Sequence, residues 1–283
     1  MAHKPKIRVT SIDVFGKIVD LIFLNAIMTP KAQFEYCRPE DSLEDKLKIM
    51  QQYNFDCLPM LQGPILETGD FKEYVTQEKT EENITKGFRF CRDAATRIAE
   101  KDKLPELLPL RQFINCKPFQ NIKFKVPIFL TNGKMQVTGL VTLADMDKVA
   151  ARMYFFALFS ELELSLLTLI SDKYSSFREI CRCKCCESKR DFRKRKQSMD
   201  ELEGYYYLYI KEIFHIVLES PSVSKVHDEV KIFLNREGYS NMVDLRNNIM
   251  HPKPLVSQKF PIDKLSDIQN SITNLLLIFK TQS

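Results

Sequence analysis

The chain has 283 residues, 44% hydrophobic and 28% charged, with 42 basic against 37 acidic side chains for a net charge of +5. That is the composition of a soluble globular protein, long enough for two domains with a core in each. No apolar run reaches the roughly 18 residues that a bilayer span needs. The first 28 residues carry charges and show no small-residue cleavage site behind an apolar core, which excludes a signal peptide and a membrane partner as expectations. The eight cysteines then read as reduced thiols of a cytoplasmic protein.

Up to about residue 150 the chain alternates short β-like runs with helical ones. Leu43, Leu47 and Met50 lie at helical spacing behind Ser42, which predicts a helix over 42–54 capped by that serine. "FDCLPML" (Phe55–Leu61) and "KVPIFL" (Lys125–Leu130) are apolar runs with a proline each, suited to edge strands. Residues 81–101 read as helix, and the two prolines of "DKLPELLPLRQ" interrupt it. "KVPIFL" and "GKMQVTGLVTL" form a hairpin about the turn residues "TNG" (Thr131–Gly133). At the end of that hairpin Thr142 and Asp145 stand where a helix begins. Free N–H groups and the threonine hydroxyl suit a phosphate there, and the carboxylate suits the two hydroxyls of a ribose; helix capping is the other reading of the same pair.

Beyond Lys148 the pattern changes to long helices. Phe155, Leu158, Phe159, Leu162, Leu166 and Leu169 form one stripe, Tyr206, Ile210, Ile213 and Val217 a second, and Leu265, Ile268, Ile272 and Leu275 a third, as in a helical bundle. With no Gly or Pro between Asp145 and Ser171, the boundary near 150 is expected inside one continuous helix that stiffly couples the two domains.

"REICRCKCCESKRDFRKRKQ" is an insertion near 181–197. Cys181, Cys183, Cys185 and Cys186 depart from the paired spacing of structural zinc sites, so no metal is expected. Lys189, Arg190, Arg193, Lys194, Arg195 and Lys196 make a basic run that either follows an RNA backbone or is a solvated loop.

The stretch "DLRNNIMHPKP" (Asp244–Pro254) carries the most chemistry. Asn247 and His251 are one helical turn apart, Arg246 flanks their face, and Pro252 disfavours helix at His251, leaving its ring at a helix end. An imidazole moves protons to and from an RNA 2′-hydroxyl or a leaving oxygen, and a neighbouring guanidinium stabilises charge on phosphate oxygens, with no metal required. A charged helix C-terminus is the alternative reading.

Residues 11–150 resemble a CBS (Bateman) pair, through "AIMTPKAQFEYCRPEDSLEDKLKIMQQYNFDCLPML" and "VPIFLTNGKMQVTGLVTLADMDKVA". The resemblance implies an adenine nucleotide between the repeats, with phosphate at Thr142 and ribose at Asp145. In the first repeat it sets "ILETGDF" against the Thr142–Asp145 segment, so that Asp70 stands opposite Asp145 and Glu67 opposite Thr142. Residues 151–280 resemble the HEPN superfamily, through the R-x4-H of Arg246 and His251 and the acidic mid-helix of "FFALFSELELSLLTLI". That resemblance implies metal-independent endoribonuclease activity. Arg246 and His251 are then the catalytic pair, Asn247 an orienting residue, and Glu163 the carboxylate that holds Arg246. It also implies a homodimer that joins two half-sites.

The resulting expectation is an α+β CBS-like pair over 1–150 followed by an all-α HEPN-like bundle over 151–283. Its function would be RNA cleavage in the cytoplasm, gated by an adenine nucleotide, with no cofactor for catalysis and a role in toxin or antiviral defence. The rival expectation is a non-catalytic, nucleotide-responsive dimeric scaffold.

Overall fold

The computed structural model describes residues 12–98, 103–115, 127–174, 208–220, 224–251 and 253–282. The Cys181–Cys186 cluster, the basic run from Lys189 to Lys196, Tyr206 and Pro252 lie outside the described residues. The chain divides into two compact units, Asp20–Arg152 and Met1–Val19 with Met153–Ser283. The described part of the first segment, residues 12–19, falls in the helical unit. Its described element, α1 (Ile12–Leu21), is a helix and gives neither sheet a strand.

The unit Asp20–Arg152 is α+β and is built from one pattern used twice. β2 (Cys57–Gln62) and β3 (Asp70–Thr76) form an antiparallel hairpin, and β4 (Thr96–Arg97) adds to β3. β6 (Ile128–Thr131) and β7 (Val137–Val141) form the other hairpin, and β1 (Thr29–Pro30) adds to β7. β5 (Lys103–Pro105) runs parallel beside β6, with Leu104 opposite Leu130; Cys37 takes the same place beside β2 through a parallel bridge to Met60.

The registers coincide. Glu73↔Arg97 and Tyr74↔Thr96 in one sheet match Gly139↔Pro30 and Leu140↔Thr29 in the other. Each hairpin has a register shift at the same place, after Met60 and after Leu130. Even the isolated bridges are reciprocal, Phe23 with Pro109 and Ser42 with Phe90. Each half therefore lends its short first strand to the hairpin of the other. Gly139 permits this exchange at β1, because a Cβ there would lie 2.8 Å from the Thr29 carbonyl oxygen and 2.7 Å from the Met28 sulfur.

α2 (Leu43–Tyr53) is capped by Ser42, whose hydroxyl accepts from Asp45 N at 3.2 Å, and ends at Asn54 in the left-handed region. The helix expected over 81–101 is replaced by shorter pieces. α3 (Gln77–Thr85) starts earlier, because Thr76 caps it, and the chain turns at Gly87 with φ +84°. Cys91–Ala94 is then a 3-10 turn that leads into β4. Helix-favouring residues yield here to pairing with β3. The TNG turn is also longer than expected: residues 132–136 form the loop, with Asn132 Oδ1 accepting from Lys134 N and Gln136 N.

α5 (Val149–Lys173) begins after Lys148, which is extended (φ −64°, ψ 153°), so the continuous helix expected from Asp145 is interrupted. Residues Leu143–Asp147 form a separate 3-10 turn. The division between units falls within α5, at Arg152. Residues Val149–Ser171 are long and apolar enough to cross a membrane by length and composition, although Glu161 and Glu163 interrupt the apolar run. More than half of that stretch is buried within the structure.

The helical unit continues with α6 (Ile210–Glu219), α7 (Lys225–Glu237), α8 (Tyr239–Met250) and α9 (Ile262–Gln282). The stripes point inward: Phe155, Leu158, Phe159, Leu162 and Leu166 on α5, Ile213 and Val217 on α6, and Leu265, Ile268, Ile272 and Leu275 on α9 are all buried. Each contributes about 1.5–3 kcal/mol relative to exposure.

Candidate functional site

α4 (Leu110–Ile114) belongs to the α+β unit, whereas the Arg246 site belongs to the helical one. Gly238, at φ +73°, turns the chain from α7 into α8. Met242, Leu245 and Ile249 then anchor one face of α8 in the core. That orientation leaves Arg246 at the core margin, where its Nε donates to Glu163 Oε1 of α5 at 3.0 Å. The two side chains keep 28% and 23% of their exposure, so the pair is mostly covered. Burial pushes the Glu163 carboxyl up; the charge and hydrogen bond of Arg246 pull it down, and burial is the stronger.

At the end of α8, His251 N donates to Asn247 O at 3.0 Å, and the His251 backbone then turns extended (φ −114°, ψ 158°). His251 is exposed and Asn247 half-buried. Arg246 and His251 are five positions apart with four helical residues between them, about 7.5 Å along the axis. The last two turns of α8 and its end thus carry an arginine fixed by an acid and an exposed histidine, groups suited to phosphate charge and to proton transfer.

In the α+β unit Thr142 and Asp145 form a capping box. Asp145 Oδ2 accepts from Thr142 N at 2.6 Å and from Thr142 Oγ1 at 3.0 Å. Its Oδ1 accepts from Thr29 Oγ1 at 3.1 Å and pairs with Lys148 Nζ at 2.6 Å, and the side chain is 4% exposed. Both oxygens of the carboxylate at which a ribose contact is expected are engaged within the chain. Thr142, where the phosphate is expected, stands at the start of the five-residue 3-10 turn Leu143–Asp147, with Asp145 N donating to Thr142 O at 3.2 Å.

The pairing of repeats by "ILETGDF" is corrected by the strand registers. The counterpart of Thr142 is Thr76, which caps α3 by accepting from Lys79 N at 3.3 Å, so the counterpart of Asp145 is Lys79. Glu67 is exposed in the loop between β2 and β3. Asp70 opens β3, its Oδ1 accepting from Phe71 N at 2.8 Å and from Val137 N at 3.2 Å. Lys79 Nζ donates to Ala95 O and Thr96 Oγ1, both at 3.0 Å. Lys148 Nζ makes the equivalent contacts to Met28 O at 2.8 Å and Thr29 Oγ1 at 3.2 Å. Each exchanged first strand is therefore locked by a lysine beside the threonine that ends the opposite hairpin. The signal for this lay in Val75-Thr76 and Val141-Thr142, each closing a hairpin, and in Thr29 and Thr96, which both fall in the exchanged strands.

A cavity of about 390 Å³ is lined by Gln62, Lys72, Glu73, Arg97, Ile98 and Lys103. Three of these six side chains are cationic, which suits an anionic ligand; sequence reasoning missed it because the residues come from β2, β3, β4 and β5. Among the described residues no cluster of metal-ligating side chains occurs.

No family model matches the chain, and no curated protein does. Solved structures similar to the N-terminal half are consistently CBS domain pairs. A CBS-pair protein of Arabidopsis thaliana, CBSX2, is 14% identical over 46% of this chain and 95% of its own, with a TM-score of 0.38. The CBS domain of a bacterial CNNM/CorC family Mg2+ transporter, in complex with ATP, is 16% identical over 51% and 95%, with a TM-score of 0.36. A hemolysin-like protein of Oenococcus oeni PSU containing a CBS domain is 9% identical over 48% and 94%, with a TM-score of 0.36.

Proposed function

We propose that the chain is a metal-independent endoribonuclease of the HEPN kind, regulated by an adenine nucleotide bound to a CBS-like pair. The carrying observation is Arg246, clamped by Glu163 at 3.0 Å, on the same helix whose end carries the exposed His251. His251 takes the proton from an RNA 2′-hydroxyl, whose oxygen attacks the adjacent phosphorus and expels the 5′-oxygen, leaving a 2′,3′-cyclic phosphate. The Arg246 guanidinium bears on the non-bridging oxygens as charge builds there, and Asn247 orients the group. A second copy of the chain completes the site and supplies the group that protonates the leaving oxygen. A cytoplasmic setting provides both RNA and nucleotide, and a role in toxin or antiviral defence fits a nuclease that needs a gate.

In the CBS-like pair the internal exchange of first strands supports the regulatory reading. The basic cavity of Lys72, Arg97 and Lys103 offers three cations to the phosphates. The lysine lock favours a second reading, in which the pair is a structural scaffold without ligand.

Incubation of purified protein with RNA in EDTA, beside His251→Ala and Arg246→Ala, tests the nuclease. Cleavage by wild type and loss in both variants is expected; equal cleavage by all three overturns the assignment. Calorimetry with AMP, ATP and cyclic oligoadenylates tests the regulator, and absence of heat with every ligand leaves the scaffold reading.

A further inference from the structure

Cys37 and Cys91 place their sulfur atoms 2.9 Å apart in the core of the α+β unit, and both residues are fully buried. They belong to one apolar cluster with Leu43, Met50, Leu58 and Met60. Cys37 is held beside β2, its N–H donating to Pro59 O at 2.9 Å and its carbonyl accepting from Leu61 N at 2.8 Å. Cys91 opens the 3-10 turn before β4 and donates its N–H to Asp41 O at 3.0 Å. The backbone thus fixes each cysteine from its own side, and the two side chains meet between them.

The repeat makes this pair informative. Cys37 and its bridge to Met60 correspond to Leu104 and its pairing with Leu130. Cys91 N to Asp41 O corresponds to Leu24 N to Leu108 O. One half of the unit therefore has leucines where the other has two thiols in contact. Packing alone is satisfied by leucine at these positions, so the dithiol is a departure from the pattern.

We infer that Cys37 and Cys91 are a reversible dithiol–disulfide site that ties the first half of the unit to the strand it receives from the second. The oxidant is a small hydroperoxide such as hydrogen peroxide. Cys91 is the attacking sulfur: the hydrogen bond with Cys37 holds Cys37 as the thiol and favours the Cys91 thiolate, which the Lys46 ammonium also favours. Its sulfur forms a bond to one peroxide oxygen as the O–O bond breaks, releasing water after protonation and leaving a sulfenic acid. The Cys37 sulfur, giving up its proton, then attacks the Cys91 sulfur and expels the second water. Two thiols and one peroxide become one disulfide and two waters; a small dithiol reductant reverses the change. The crosslink fixes the turn ahead of Thr96 and Arg97, one contact of the Lys79 lock and one wall of the basic cavity. None of this depends on the ribonuclease reading.

The test uses the full chain with Cys181, Cys183, Cys185 and Cys186 replaced by serine, exposed to hydrogen peroxide and then unfolded, alkylated and mapped by mass spectrometry without reduction. The expected product is a Cys37–Cys91 crosslinked peptide, lost on dithiothreitol treatment, with a thermal midpoint raised by about 5 °C or more. Recovery of both cysteines as alkylated or overoxidised peptides, with no crosslink, overturns the inference. If the serine variant does not fold, the wild-type chain is mapped in the same way, with the same crosslinked peptide expected and its absence equally decisive.

Discussion

Glu163 and Arg246 link α5 to α8 through a 3.0 Å contact, and the carboxyl of that pair is held above its ordinary range by burial. A carboxyl whose folded pKa is raised contributes stability below its unfolded value, about 4.3, and loses that contribution as pH rises through the folded value. At neutral pH the ionised Glu163 is therefore a net cost to the fold, kept in place by what it does for Arg246. Glu163→Gln is expected to leave the thermal midpoint unchanged or raised at pH 7.5, with the advantage shrinking toward pH 4. RNA cleavage should fall about tenfold or more, because the guanidinium loses its ionic anchor. Melting curves at the two pH values and a cleavage assay check both halves; a clearly lowered midpoint at pH 7.5 contradicts the sign.

The two proposed catalytic residues should separate in their effect on stability. His251 is exposed at a helix end, so His251→Ala is expected to shift stability by no more than about 0.5 kcal/mol. Arg246→Ala leaves the Glu163 carboxylate mostly covered and without its guanidinium, a loss of about 1–3 kcal/mol. Cleavage should drop by about 100-fold or more in each. Denaturant unfolding beside the RNA assay reads the two quantities independently.

How much of this was legible in the sequence follows from the range of the interactions. The stripes of α5 and α9 are periodic within one element, and their buried faces follow from spacing alone. Ser42 and Thr142 announce local caps for the same reason. The exchange of first strands was not legible, because β1 and β4 are two residues long and pair with strands far along the chain. Without that register, Asp70 looked like the partner of Asp145, and Lys79, just ahead of the stretch read as helix, went unnoticed. The helical misreading of 81–101 has the same origin: β3 supplied backbone partners that local propensity cannot register.

The lysine lock gives a prediction on ligand binding. Lys148 Nζ neutralises Asp145 at 2.6 Å and bonds to Met28 O and Thr29 Oγ1. Lys148→Ala should leave Asp145 Oδ1 with the Thr29 hydroxyl alone and strengthen adenine-nucleotide binding about tenfold where the ribose reaches Asp145. Lys72→Ala and Arg97→Ala should weaken binding, since they remove cations from the cavity. Calorimetry with ATP on the three variants checks the set; weaker binding in Lys148→Ala would mean that the lysine itself receives the phosphates.

His227 supplies the last prediction, on pH. It is 1% exposed on α7, and its Nε2 lies 2.9 Å from Val217 O on α6, so the neutral ring donates an N–H to that carbonyl. Burial pushes its pKa below the ordinary histidine value, and the Lys231 and Lys173 charges push the same way against the Val217 hydrogen bond and Asp228. Its folded pKa is thus lower than its unfolded one, so the unfolded chain binds the extra proton first as pH falls. The contribution is fully present above the unfolded value, about 6.5, and is lost as pH falls through the folded value. The slope for this one proton is at most about 1.4 kcal/mol per pH unit. His227→Gln keeps an N–H for Val217 O and cannot titrate. Denaturant midpoints between pH 7.5 and pH 5 should therefore fall more steeply in wild type than in His227→Gln, with the difference opening below about pH 6.5. Parallel curves for the two proteins would place the acid sensitivity elsewhere in the chain.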